Sequence, residues 1–596
     1  MSHSFHIPVL GLGFSIDTPL KVARYGISSV VSVVDDEVVE RMRQYHSEVN
    51  GIPYTIIKKT DEDYRAKRTT AYLNLLKVLV NKQIAELRKQ EFTPGSDITR
   101  YFELLPEYSQ SRRAYLEMLN ESDESLKEIL QRYLRTQLER GDIEVNIMSK
   151  VDKMNFGRDG APLGDKFSDA LASLRGFAQS DLNSSLILSA GMNPRLYSYV
   201  AEFNGFHPDA SVSARKKLVL KVSDYRSALI QAKFLAKKGL WVNEFRIESG
   251  LNCGGHAFAT EGYLLGPILQ EFKDKRADMV VELYEIYKAF HKTESGIDVA
   301  QPFTKITVQG GIGTAEENTF LQRYYNLDGT GWGSPFLLVP EATNVDSNTL
   351  NLLKDANEDD FYISGASPLG IPFNNFKKST AEAQRLERIA KGRPGSPCNK
   401  KFLVSNTEFT SQPICTASRE YQNLKIKQLN ATDIPKEEYD KQFNEITEKL
   451  CLCEGLTTSA YIKNNILKPR ENPAVAICPG PNTAYFSSVY SLDEMVKHIY
   501  GKLNLLKGTN RPHMFINELK LYVEYLKKDI ENSANQLNDK KIKQLERFKD
   551  QLLNGVEYYN QLFPNIQKFC NSCSKTFQVE LQNLGIQINQ LKIGTA

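Results

Sequence analysis

Two glycine-rich stretches carry most of the chemistry legible in this chain. Val308-Gln-Gly-Gly-Ile-Gly-Thr314 closes an apolar, β-branched run and opens a helical pattern. Paired glycines let the backbone approach a phosphate closely, and a helix N-terminus beyond them supplies N–H donors and the positive end of a dipole. One strand later comes Gly331-Trp-Gly-Ser-Pro-Phe336. A (β/α)8 barrel builds its phosphate site from the loops after its seventh and eighth strands, which is the order seen here. The same loops would accept any phosphate. One reading is therefore a barrel that binds a phosphorylated metabolite, as an isomerase, a lyase or a subunit of a biosynthetic complex.

His256, in Gly254-Gly-His256 just past a predicted strand, is the candidate for proton transfer. An imidazole titrates near neutrality, so it serves as acid or base without a large shift. The other reactive residues are cysteines, seven of the eight lying after residue 390. Cys398, Cys415 and Cys478 have Pro nearby, in Ser396-Pro-Cys398, Pro413-Ile-Cys415 and Cys478-Pro-Gly-Pro481, with Cys451 and Cys453 between. An iron–sulfur cluster needs four thiolates. Cys398, Cys415, Cys451 and Cys478 are the candidate set, against ordinary reduced thiols. Cys570 and Cys573 form a separate C-x-x-C, read as half a zinc site, a redox pair or no site.

The elements that must position these residues follow a repeating order. Ile7 to Phe14 reads as a strand running into glycines, and Thr18-Pro19 starts a helix with Pro in its first turn. Ser28 to Val34 is a β-branched buried strand. Asp35 to Arg140 is charged and helical, an insertion of the kind barrel loops accept. Further strands are predicted at Ile143 to Met148, Ser185 to Ser189, Leu218 to Val222, Glu244 to Glu248, Lys305 to Val308 and Gly331 to Val339, with helices between most of them. Eight strands close a (β/α)8 barrel, and an open doubly wound sheet is the alternative. The predicted division is a barrel over 1–365, a Cys- and Pro-rich segment over 366–510, and a helical region over 511–596.

These spaced motifs resemble the nitronate monooxygenase group of FMN enzymes, formerly 2-nitropropane dioxygenases, which includes FMN-dependent enoyl-acyl-carrier-protein reductases. The glycine-bearing first strand with Thr18-Pro19, Val145-Asn146, Gly254-Gly-His256 and the two glycine loops with Glu341-Ala342 carry the resemblance. It spans roughly residues 7–50 and 143–345. It implies that Gly310, Gly311, Gly333 and Ser334 hold the FMN phosphate. Gly11, Gly13 and Asn146 would lie beside the isoalloxazine ring, with Lys221 in contact with it. His256 would take the proton α to a nitro group or position substrate over the flavin. Some reductases of this group carry a [4Fe–4S] cluster, and enoyl reduction would draw on NAD(P)H. The chain departs from the family where Asn252-Cys253, and no acidic residue followed by Ala, precede Gly254-Gly-His256, which points away from a nitronate. The expected substrate is a small molecule or an acyl thioester, and the insertion and the Cys-rich segment favour a larger acyl-type or multi-component one.

Composition bounds the rest. With 75 Lys and Arg against 72 Asp and Glu the net charge is +3, giving no electrostatic reason to expect a nucleic acid or an anionic membrane. The N-terminus does not read as a secretory leader, no apolar stretch is long enough to cross a bilayer, and the cytoplasm is the expected address.

Overall fold

The computed structural model describes residues 3–147, 152–157, 161–189, 191–208, 214–294, 296–533, 538–570 and 574–593. Eight parallel strands form a closed barrel: β1 (Phe5–Ile7), β2 (Ser28–Ser32), β3 (Ile143–Asn146), β4 (Ser185–Leu188), β5 (Lys217–Val222), β6 (Val242–Glu248), β7 (Lys305–Gln309) and β8 (Gly329–Gly331). β8 pairs with both β7 and β1, which completes the ring. The (β/α)8 class expected from the alternation is the observed one.

Most strands fall within one or two residues of their predicted bounds, and β1 and β8 lie largely outside theirs. β1 stops at Ile7 because Pro8 has no N–H for the ladder, and the chain then loops through Gly11 at a φ of 120°. The stretch predicted as a strand from Gly331 to Val339 is strand only at its first residue. Pro335 presets a helical φ, and Ser334–Leu338 form a short 3-10 turn. Met148, the predicted end of the third strand, lies outside the described residues.

Period-two alternation places Glu244, Arg246 and Glu248 of β6 on one face, and the barrel turns that face inward. Arg246 donates to Glu144 of β3 at 3.0 Å and to Glu244 at 2.7 Å, and Thr307 of β7 donates to Glu244 at 2.6 Å. This buried ionic layer sits one residue pair below the mouth. Val30, Ile187 and Val219 form a separate small apolar cluster, with Val9 packed against it.

Residues 35–140 hold five helices, of which Tyr64–Leu87 packs on Asp169–Gln179. At Gly176 a Cβ would lie 2.7 Å from the Ala66 carbonyl, so this helix belongs to the barrel's outer ring. After the barrel come an antiparallel pair, β9 (Phe361–Ser364) and β10 (Phe373–Phe376), and helices that include Thr380–Ala390 and Leu452–Lys463. The tail, expected to be helical, consists among the described residues of helices Met514–Ser533, Asp539–Gln567 and Ser574–Gln590. Leu519, Leu526, Leu545 and Leu552 of these helices are buried. Barrel, middle segment and tail share one hydrophobic core. No helix among the described residues is long and apolar enough to cross a membrane.

Candidate active site

A cavity of about 1000 Å³ opens at the C-terminal ends of the strands. Its walls include Gly11, Asn146, Lys221, His256, Gly310, Gly311, Gly333 and Ser334, so eight of the nine barrel residues singled out from sequence converge on one space. Gly13 is the exception. Its N–H donates to the Leu456 carbonyl at 3.0 Å, and a Cβ there would lie 3.0 Å from that same oxygen. Gly13 therefore serves the packing of the helix Leu452–Lys463, and its neighbours Gly11 and Leu12 face the cavity.

The two glycine loops are tightly built. Gly310 and Gly311 adopt φ values of 106° and 81°, in the region that favours glycine. A Cβ on Gly310 would lie 2.6 Å from Cys253 Sγ, and one on Gly311 would lie 2.6 Å from Asn252 Nδ2. The loop after β6 thus lies directly on the loop after β7. Thr314 caps the helix Ala315–Tyr324 in a reciprocal capping box with Glu317. Glu317 accepts from the Gly313 N–H at 2.8 Å and the Thr314 N–H at 3.3 Å. Among the described residues the N–H groups of Gly311, Ile312 and Gly333 have no hydrogen-bond acceptor. Ser334 Oγ accepts from the Gly480 N–H at 2.8 Å, which leaves its own proton to donate. Unclaimed donors on two adjacent loops, with no room for a Cβ at Gly310 or Gly311, fit a phosphate.

The residues that secure these loops come from far along the chain. Arg511, from the tail, donates to the Gly311 carbonyl at 2.6 Å, to Glu317 at 2.7 Å and to Asn482 at 2.7 Å. Asn482 donates to the Ile312 carbonyl at 2.9 Å. The Cys478-Pro-Gly-Pro-Asn482 segment is therefore a strap across the mouth. Besides Ser334 and Ile312 it holds the loop of His256, because the Gly255 N–H donates to the Cys478 carbonyl at 3.0 Å.

His256 lies in the cavity wall with Nε2 2.9 Å from Ser367 Oγ, its ring edge-on to Phe373 at 5.1 Å. The β9–β10 hairpin supports this loop. The Asn374 side chain donates to the Cys253 carbonyl, and the Ala257 N–H donates to the Pro372 carbonyl, each at 2.8 Å. In the same cavity, three successive strand ends present a polar trio, the last of them directly before Gly310. Lys221 Nζ donates to Glu248 Oε1 at 3.1 Å, and Gln309 Nε2 donates to the same oxygen at 2.6 Å. Glu248 and Gln309 were not singled out from sequence. Their signal is their place as the last inward residues of β6 and β7, paired in register.

No family model matches the chain, and no curated protein does. The likeness found is to solved structures. A point mutant of FabK from Thermotoga maritima matches at 11% identity over 67% of this chain and 84% of that one, with a TM-score of 0.30. Nitroalkane oxidase from Streptomyces ansochromogenes matches at 10% identity over 84% of this chain and 96% of that one, with a TM-score of 0.35. The enoyl reductase domain of MlnA, from the macrolactin biosynthesis cluster of Bacillus amyloliquefaciens, matches at 13% identity over 74% and 88%, with a TM-score of 0.31.

The iron–sulfur expectation finds no support among the described residues. Among the described residues no three or more His, Cys, Asp or Glu side chains converge as a metal site. An iron–sulfur cluster needs four thiolates around one centre, and Cys398, Cys415, Cys451 and Cys478 do not supply it. Cys478 is in the cavity wall, where burial pushes its thiol up to about 12. Cys398 and Cys415 instead hydrogen-bond each other, which brings Cys398 down to about 7 and pushes Cys415 up. Cys451 bonds to Ser396, and burial raises its thiol. Cys570 is disulfide-bonded, so it is not an ordinary reduced thiol, and Cys573 lies outside the described residues.

Proposed function

We propose that this chain is an FMN-dependent oxidoreductase acting on an acyl-thioester or a related small unsaturated substrate, with NAD(P)H as electron donor. The observation that carries the reading is the presence, in one cavity, of unclaimed donors on two adjacent glycine loops and a polar trio at the ends of β5, β6 and β7. Its volume of about 1000 Å³ stands at the upper end of ligand sites, which leaves room for substrate beside the cofactor. FMN, when bound, supplies hydride exchange at its isoalloxazine ring.

The chain's own groups do the rest. Gly311, Ile312, Gly333 and Ser334 offer donors to the phosphate. Lys221, held by Glu248, offers a cation to the polar edge of the ring, and Gln309 is tied to the same carboxylate. Ser367 and Phe373 fix the His256 imidazole so that it can hold or move a proton at the substrate. Met192, Ile230 and Phe258 line the rim as exposed apolar side chains, which suits an acyl chain better than a small nitronate.

The deciding experiment is a visible absorption spectrum of the purified protein, before and after denaturation. A two-banded flavin spectrum released on unfolding is expected. His256→Asn should keep the flavin and lose turnover with an enoyl thioester by about 10²-fold or more. A colourless protein that takes up no added FMN would sink the proposal and favour the phosphorylated-metabolite barrel.

A further inference from the structure

The helices Gln110–Asn120 and Glu124–Thr136 are joined by residues 121–123 and pack as an antiparallel hairpin on the outside of the barrel. Their inner face is ordinary core. Tyr115, Met118 and Leu134 are buried, and Tyr115 stacks on Phe102 at 5.5 Å between centroids. Their outer face is not ordinary surface. Leu116, Leu119, Leu126, Ile129 and Tyr133 are all exposed, by 42% to 52% of their area. Within each helix they recur at three- and four-residue spacing, so they form a second apolar stripe where a solvated helix carries charge. A contiguous patch of this kind marks an association surface.

Charge around the patch is segregated. Arg113 and Arg132 flank it toward the open end of the hairpin. Glu117 and Glu128 flank it one helical turn nearer the connecting residues, about 6 Å along the axis. Among the described residues the hairpin's ion pairs are Lys127–Glu124 and Arg135–Glu91, and none of the four flanking groups takes part in one.

We propose that this face pairs with a second copy of the chain, the two hairpins packing antiparallel about a two-fold axis near Leu116 and Ile129. That rotation brings Arg113 and Arg132 of one copy against Glu117 and Glu128 of the partner subunit, and the reverse. A parallel arrangement would set like charges together. The equal numbers of acid and base, exchanged by a half-turn, select a second copy over an unrelated partner. Two helices of this length bury roughly 500 Å² per copy, which makes the dimer weak and concentration-dependent. The hairpin leads into the N-terminal end of β3, on the barrel face opposite the mouth, so pairing leaves both cavities open.

The test is sedimentation velocity of the full chain from roughly 1 to 100 µM. A monomer-to-dimer shift across that range is expected. Arg113→Glu with Arg132→Glu, and separately Glu117→Arg with Glu128→Arg, should each weaken self-association at least tenfold. Mixing the two proteins in equal amounts should restore the dimer, and this recovery is also the evidence that both fold. A chain that stays monomeric throughout, a dimer indifferent to both charge reversals, or a mixture that does not recover would overturn the proposal.

Discussion

Gly310 shows how closely single residues are constrained at the mouth. Its φ of 106° already disfavours a side chain, and a Cβ would have to displace Cys253 Sγ and Ser249 Cβ, at 2.6 and 3.0 Å. Gly310→Ala should therefore move the β6 and β7 loops apart while leaving the barrel folded. We expect FMN affinity to fall about tenfold or more, a cost of about 1.4 kcal/mol, in a fluorescence titration of the apoprotein. An unchanged dissociation constant would mean that this loop does not carry the phosphate. Gly310 and Gly311 were legible because two glycines between a strand and a helix have few other uses. Gly13 was misread because a glycine needed for close packing has the same sequence signature as one needed for ligand approach. Glu248 and Gln309 were passed over because polar residues in a strand ordinarily mark its solvent face, and a closed barrel turns that face into an interior.

The tail helices do more than pack. Arg511 and Glu317, 4% and 1% exposed, form an ion pair that ties the start of the tail to the β7 loop. Glu317 also accepts from the Met514 N–H at 2.7 Å, the first residue of the tail helix. Removing the guanidinium strands a buried carboxylate, a loss of roughly 3 to 5 kcal/mol. Arg511→Met is expected to lower the melting temperature and weaken FMN binding. Adding Glu317→Gln, which removes the stranded charge, should recover much of the stability. Calorimetry and flavin titration of the three proteins check this, and wild-type FMN affinity in Arg511→Met would deny the tail any part in the cofactor site. At this scale the helices read well from their apolar spacing. β1 and β8 did not, because three-residue strands leave no periodicity to detect and owe their existence to closing the ring.

Across the whole molecule, the barrel and tail are also coupled through a buried acid. Glu518, from the helix Met514–Ser533, accepts from Ser249 Oγ at 2.6 Å and the Leu265 N–H at 2.8 Å behind the cavity wall. Burial raises its carboxyl to about 7 from 4.5. The folded state therefore holds this proton over a range where the unfolded chain releases it. The stability from the protonated form is complete below about pH 4.5 and is lost as pH rises through 7, a difference of roughly 3 kcal/mol. Glu518→Gln should flatten the fall in melting temperature between pH 5 and pH 8. Identical slopes in wild type and variant would show that Glu518 does not titrate there.

By itself the sequence determined the alternation of strands and helices, the glycine loops and His256, because each rests on local spacing or on backbone freedom that few residue types share. Only the tertiary structure placed Cys478 in a strap across the mouth. It alone brought Arg511 to Gly311 and made Glu248, Lys221 and Gln309 neighbours. Arg511 and Gly311 are 200 positions apart, and such relations exist only once the ring has closed and one hydrophobic core has drawn the middle segment and the tail over its mouth.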